Sequence, residues 1–308
     1  MKVYRSLSEI PRIKNPVVTI GTFDGVHEGH KQIIARLKKA CNEIGGESFI
    51  FTFHPHPRMV LYPDQTDLKL LTLTEEKLQL LEKAGVDHVL VYPFTREFAS
   101  LTAKQYVRDI LVDGIGVKKL IIGYDHKFGN NREGSIDTLR NSAEQYGFTV
   151  EEIPPHEIDH LNVSSTRIRR ALEQGDIQTA NSFLGYSYFL SGKVVAGKKL
   201  GRQLGYPTAN IEVSDRTKLI PGIGVYAATT IVAGQRYKGM MSIGINPTTD
   251  TDNKLKIEIN IFNFDRDIYG QEITVEFCSR LRNEEKFSSL EDLKKQLALD
   301  RENALAIL

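Results

Sequence analysis

Only two cysteines, Cys41 and Cys278, stand in a chain of 308 residues. The first falls in a helical pattern and the second in a strand pattern, far apart. Neither a disulfide framework nor a cysteine zinc centre is expected, and a reducing cytoplasm is the expected compartment. No run approaches the roughly eighteen apolar residues of a membrane span. The opening Met1-Lys2-Val3-Tyr4-Arg5-Ser6 lacks the apolar core of a secretory signal. Neither sign of charge dominates, since 40 basic and 39 acidic residues leave a net charge of +1. That balance argues against nucleic acid or a membrane surface as partner. Internal repeats and low-complexity stretches are also missing. What remains is a globular composition, 41% apolar and 26% charged, long enough for two domains.

The periodicity changes along the chain. Val17–Ile20, Ser48–Phe53, Val86–Tyr92, Val117–Ile122 and Phe148–Ile153 read as strands. Between them lie helical patterns: Ile33, Ile34, Leu37, Cys41 and Ile44 share one face, and so do Tyr106, Val107, Ile110 and Leu111. Thr74 and Thr102 are candidate caps, and Gly147 stops a helix over Ile136–Tyr146. Such alternation implies βαβ units and a parallel sheet covered on both faces. From about Ser187 short strands follow one another instead: Tyr188–Val195, Gly224–Val232, Lys238–Ile243, Lys256–Phe262 and Ile273–Arg280. Gly234, Asn246-Pro247, Asp252-Asn253 and Tyr269-Gly270 punctuate them, the pattern of a small antiparallel barrel. A last helix is expected from about Ser289 to Ala306. The boundary is placed near Gly185–Ser187, giving domains 1–185 and 186–308.

Two constellations carry chemistry. Gly21-Thr22-Phe23-Asp24-Gly25-Val26-His27-Glu28-Gly29-His30 follows the first strand and opens the first helix. Ligands of open α/β sheets bind at such strand ends, glycines let the backbone approach them, and the helix start offers N–H groups to phosphate. Two histidines three apart can both face that phosphate, although a zinc pair or two surface histidines would share the spacing. Val163-Ser164-Ser165-Thr166-Arg167-Ile168-Arg169 starts a helix over Thr166–Gln174. Its hydroxyls and Arg169 can hold phosphate oxygens; taken alone, it is a capped helix with basic residues.

The second constellation is Gly197-Lys198-Lys199-Leu200-Gly201-Arg202-Gln203-Leu204-Gly205-Tyr206-Pro207-Thr208-Ala209-Asn210. It is a pliable loop whose N–H groups could wrap phosphate, without the spacing of a P-loop. On an extended segment Thr208 and Asn210 share one face, and their neutral oxygens suit Mg²⁺. A Gly-rich hairpin with a Pro-Thr turn would read the same way.

The His27-x-Gly-His30 and Ser164-Ser165-Thr166-x-Ile168-Arg169 elements resemble those of Rossmann-like nucleotidyltransferases. More narrowly, Gly21–His27, Thr52-Phe53-His54-Pro55-His56-Pro57, Phe94–Leu101 and Gly123-Tyr124-Asp125 resemble the FMN adenylyltransferase domain of bacterial bifunctional riboflavin kinase/FAD synthetases. The second half carries Gly224-Val225-Tyr226-Ala227, Gly244-Ile245-Asn246-Pro247-Thr248, Ile257-Glu258-Ile259, Asp267-Ile268-Tyr269-Gly270 and Leu281–Phe287 in the order of riboflavin kinases. The resemblance implies a Rossmann-like domain, a riboflavin-kinase barrel and a C-terminal helix. It implies phosphorylation of riboflavin to FMN and adenylylation of FMN to FAD, with ATP as co-substrate, Mg²⁺ as cofactor and no obligate protein partner.

By the same resemblance, His27 and His30 are catalytic in adenylylation. ATP is met there by Gly21, Phe23 and Asp24 and by Ser164, Ser165, Thr166 and Arg169. Asp125 and Phe128 lie on the flavin side. In the kinase, Gly197, Gly201, Arg202 and Gly205 meet ATP, Thr208 and Asn210 hold the metal, Glu258 is the base and Arg282 closes on flavin. Ile257 and Ile259 are apolar, so Glu258 projects from the opposite strand face; an exposed strand glutamate would do so too. His54 stands where the family usually has an acidic residue, His126 where an aromatic is common, and Thr249 where Phe often follows Pro-Thr. The rivals are another adenylyl or cytidylyl transferase, such as one acting on pantetheine phosphate or nicotinate nucleotide, which the kinase-like half opposes, and a flavin-binding regulator, which the retained Thr208, Asn210 and Glu258 oppose.

Overall fold

The apolar runs of the first half become six parallel strands: Lys2–Tyr4 (β1), Val17–Ile20 (β2), Ser48–His54 (β3), His88–Pro93 (β4), Lys119–Gly123 (β5) and Thr149–Ile153 (β6), in the order β1-β4-β3-β2-β5-β6. The computed structural model describes residues 1–65, 67–124, 126–154, 163–197, 200–245 and 255–308. Four long helices connect the strands: Glu28–Ile44 (α1), Thr74–Lys83 (α2), Tyr106–Ile115 (α3, π-wound) and Ile136–Tyr146 (α4). β2 is buried at every position, and its residues alternate between two cores. Val17 joins α1 and α2 residues on one face, while Val18 and Ile20 join α3 and α4 residues on the other. Beside β2 the strand order reverses, β3 on one side and β5 on the other. This switch point opens a crevice at the carboxyl ends of β2 and β5, where the His-x-Gly-His loop begins.

Two local expectations met different fates. Thr102 caps as expected, its hydroxyl accepting from the Gln105 amide at 3.2 Å. Thr74 is not a cap but the first residue of α2. The Glu76 carboxylate takes the Leu73 amide at 2.8 Å, and the Thr74 hydroxyl bonds instead to the His54 ring at 3.1 Å. β1 escaped the sequence reading, since three residues at a sheet edge carry too little periodicity.

The chain divides into two compact units, Met1–Ser164 and Ser165–Leu308. In the second, Ser165–Glu173 (α5) and Ile177–Leu184 (α6) precede a closed antiparallel barrel. Its strands are Phe189–Val195 (β7), Ala209–Glu212 (β8), Gly224–Val232 (β9), Gln235–Ile245 (β10), Leu255–Ile261 (β11) and Glu272–Arg282 (β12), in the order β10-β11-β8-β7-β12-β9. Leu290–Ile307 (α7) ends the chain, with the Ser289 hydroxyl accepting from the Asp292 amide at 3.1 Å. The expected turns at 246–247 and 252–253 lie outside the described residues.

The packing boundary therefore precedes the one placed near Gly185. Asn181 of α6 accepts the Tyr188 amide at 2.7 Å and donates to the Phe277 carbonyl at 2.9 Å, while Arg280 of β12 donates to the Gln174 carbonyl at 3.0 Å. Ile168, Leu172, Ile177 and Leu184 are buried, each side chain worth about 1.5–3 kcal/mol of apolar burial. Two short amphipathic helices show in sequence that they need a partner, not which one. A fragment starting at Ser165 is expected to melt several degrees above one starting at Ser187. Equal melting temperatures would mean that the two helices add nothing to the barrel.

Candidate functional site

The loop after β2 is held in an unusual shape. Phe23, Gly25 and Val26 have φ of 49°, 83° and 37°, the left-handed region that a β-branched residue such as Val avoids. Such strain persists only where surroundings over-determine it, and it concentrates at functional sites. Here Asp24 supplies much of the restraint. Buried, its carboxylate accepts the Leu71 amide at 3.0 Å and the Thr72 amide at 3.1 Å, while the Thr72 hydroxyl accepts the Gly25 amide at 3.0 Å.

The two histidines open α1 together. His27 is the cap residue, its Nδ1 accepting the His30 amide at 3.4 Å. With Nδ1 accepting, the ring proton belongs on Nε2. The rings stack with centroids 3.7 Å apart, and the Phe23 ring lies 4.9 Å from that of His30. Burial, then the neighbouring His27 and Lys77, holds the His30 pKa well below that of a free imidazole, so His30 is neutral at pH 7. Its buried Nδ1 has no hydrogen-bond partner among the described residues.

Ser165, Thr166 and Arg169 lie on α5, whose buried face is Ile168, Ala171 and Leu172, and Ser164 precedes it. On the expected flavin side, Asp125 lies outside the described residues. Phe128 is buried against Tyr106, 5.1 Å between centroids, and stacks near His126 at 5.9 Å. An aromatic group not singled out residue by residue surrounds the ends of β3 and β4. The Phe53 ring lies 5.5 Å from Phe94 and 5.7 Å from Phe98, and Phe94 is half-buried.

In the barrel, most of the expected kinase residues meet. A cavity of about 560 Å³ is lined by Gly197, Gly201, Thr208, Asn210, Glu258 and Arg282. Asn210 of β8 pairs directly with Glu258 of β11, and the Thr208 hydroxyl donates to Glu258 Oε2 at 3.0 Å. Arg202 lines an adjacent cavity of 430 Å³ with Phe264, Arg266 and Tyr269, and Thr208 belongs to both. Gly205, with φ of 85°, lines neither. A Cβ at Gly197 would collide with the Asn210 side-chain amide, so any larger residue there must displace it. Lys198 and Lys199 lie outside the described residues, as does Thr249.

Two supporting residues were missed. Asn260, two positions along β11 from Glu258, donates to the Pro207 carbonyl at 2.7 Å and so fixes the turn that presents Thr208. Asp300 of α7, fully buried, takes Arg282 Nε at 2.9 Å and Nη2 at 2.8 Å, and also accepts from Gln296 at 2.9 Å. A carboxylate on a distant helix has no sequence signal linking it to Arg282. Removing one partner of such a buried pair typically costs about 3–5 kcal/mol. Asp300→Ala is thus expected to lower the melting temperature of the second unit; an unchanged value would mean the pair is dispensable.

Each half of the chain matches a known family. The FAD synthetase family model matches residues 10–167 and the riboflavin kinase family model residues 184–308. A bifunctional riboflavin kinase/FMN adenylyltransferase of Pseudomonas fluorescens is 39% identical over 308 residues, covering 100% of this chain and 98% of that protein. One from Escherichia coli K12 is 36% identical over 304 residues, covering 97% and 96%. A solved structure from Streptococcus pneumoniae, named a macrolide-efflux protein, is 32% identical with a TM-score of 0.87, covering 98% of this chain and 97% of that one. Both family models match in order, and full-length relatives share the same double name, so the chain belongs to the bifunctional riboflavin kinase/FMN adenylyltransferase family.

Proposed function

We propose that the two transfers of this family have separate sites, riboflavin phosphorylation in the barrel and FMN adenylylation at the α/β sheet. The chain is a flavin-cofactor enzyme with ATP as co-substrate. The observation that carries the kinase assignment is the Thr208–Glu258 hydrogen bond at the meeting of two cavities. Riboflavin takes the larger cavity, where Glu258 and Arg282 stand, and ATP reaches Thr208 from the side of Arg202. Thr208 occupies Oε2 of Glu258, leaving Oε1 for the 5′-hydroxyl of riboflavin. As that oxygen attacks the γ-phosphorus, Glu258 takes its proton, the bond to the bridging oxygen breaks and ADP leaves. Positioning and charge do most of the work in such a transfer.

The neutral oxygens of Thr208 and Asn210, beside a carboxylate and on one strand face, fit a hard cation such as Mg²⁺. When bound, the cation neutralises phosphate charge. Gly197→Ala drives Asn210 out of this place. Since a shift of about 1 Å in such positioning can cost ~10²-fold, riboflavin phosphorylation should fall by that order while FAD synthesis from supplied FMN holds. Equal kinase rates would remove Asn210 from the site.

In adenylylation, an FMN phosphate oxygen attacks the α-phosphorus of ATP and pyrophosphate leaves. His27 Nε2–H and neutral His30 donate to phosphate oxygens that gain charge in the transition state. Gly21 and Phe23 shape the loop, and Asp24 acts through its grip on Leu71 and Thr72. By the resemblance of their motif, Ser164, Ser165, Thr166 and Arg169 are assigned to ATP in the same transfer. Asp125 and Phe128 face the flavin. We assign the functional domains as 1–185 and 186–308, with no nucleic-acid, membrane or obligate protein partner. Among the described residues no helix is long and apolar enough to cross a membrane. Two free cysteines suit the cytoplasm, where we place the enzyme. Residues 165–308 alone, given riboflavin, ATP and Mg²⁺, test the division: FMN without FAD supports it, and no FMN from a folded fragment contradicts it.

A further inference from the structure

Neither transfer, as derived above, uses Lys77, a buried cation beneath the phosphate loop. It projects from α2 and is 6% exposed. Its Nζ donates to the Thr22 carbonyl at 3.1 Å and to the Thr52 hydroxyl at 3.0 Å, and that hydroxyl donates to the same carbonyl at 3.1 Å. Thr22 sits inside the strained turn, directly before Phe23. An ammonium has three protons to donate, and among the described residues it makes these two hydrogen bonds and no ion pair. Asp24 attracts it, but that carboxylate is engaged with the Leu71 and Thr72 amides. A buried charge whose counter-charge stays outside ion-pair contact is costly, and it persists where something else helps to answer it.

We propose that Lys77 is a positioning residue for adenylyl transfer: it pins the Thr22 carbonyl, and with it the loop from Gly21 to His27, and its charge is answered by the nucleotide phosphates. The inference rests on the adenylyl-transfer reading of that loop. The charged and titratable groups facing Lys77 are Asp24 from the loop, Arg5 from the segment after β1 and His30 from α1. Burial leads in pulling its pKa down, to about 8. The ammonium is therefore present below that pH and lost as pH rises through it. In the free enzyme this places an alkaline limb near pH 8 on kcat/KM for ATP. Bound phosphate favours the charged form, so the limb on kcat should lie higher.

The test is steady-state FAD synthesis by the full chain from supplied FMN, with ATP varied between pH 6.5 and 9.5. Lys77→Met keeps the side chain's length and removes its charge. With one charge-assisted contact to the loop gone, kcat/KM for ATP should fall roughly 10–100-fold, and the alkaline limb should flatten. The KM for FMN should barely move. Lys77→Arg, charged throughout this range, should recover part of the rate without the limb. Riboflavin phosphorylation by the same preparations, together with melting temperature, reports folding. A Lys77→Met enzyme with kcat/KM within threefold of wild type, or with its alkaline limb intact, overturns the proposal. A wild-type chain that makes no FAD from FMN fails at an earlier point and removes the adenylyl-transfer reading itself.

Discussion

Replacing His30 with alanine is expected to stop FAD formation from FMN while riboflavin phosphorylation continues. The ring stands at the start of α1, stacked on His27 and against Phe23, in the unit that does not contain the kinase cavity. Loss of a single preorganised donor to developing charge costs about 10²–10³-fold in rate. Two further effects act in the same direction. The His30 ring packs against His27, so its removal frees His27 to leave its orientation. The strained turn at Phe23 and Val26 also loses a packing partner. His27→Ala should have the same sign. The effect is read as FAD produced from supplied FMN and ATP, with FMN produced from riboflavin as the internal control. Unchanged FAD synthesis would remove the histidine pair from the reaction.

Glu258→Gln is expected to be the mirror image. A positioned general base contributes typically 10²–10⁴-fold, so riboflavin phosphorylation should fall by about that factor. Glutamine keeps the size of the side chain and still accepts the Thr208 hydroxyl, now 3.0 Å from Oε2. Folding and the shape of the cavity should survive. Binding of riboflavin and ATP should change little, because the lost proton transfer matters in the transition state. Adenylylation of supplied FMN should proceed at the wild-type rate. A kinase rate within a few-fold of wild type would make Glu258 an ordinary strand glutamate that happens to bond Thr208.

Much of this arrangement was readable from the chain because it is local. The His-x-Gly-His loop follows its strand directly, and Thr208 and Asn210 are separated by one residue, so spacing alone puts each group on one face. The switch from βαβ alternation to short consecutive strands likewise marked two architectures. What escaped depends on contacts between distant segments. Lys77 carries no motif and reads as one polar position of an amphipathic helix, yet it is buried beneath Thr22, 55 positions earlier in the chain and separated from it by α1 and β3. Asp300 meets Arg282 only because α7 folds back on the barrel. Asn260 looks like a strand residue until its amide is seen on the Pro207 carbonyl. Asp24 is expected to meet ATP, and its carboxylate also holds the amides of Leu71 and Thr72, well beyond the reach of any local pattern.

The separation of two transfers at two sites is tested most directly by following products in one set of reactions. Wild type, His30→Ala and Glu258→Gln are each given riboflavin, ATP and Mg²⁺, or FMN, ATP and Mg²⁺, and the flavins are separated by chromatography. Wild type should make FMN and then FAD from riboflavin. His30→Ala should accumulate FMN, and Glu258→Gln should make FAD only when FMN is supplied. Loss of both activities in either folded variant would contradict two independent sites.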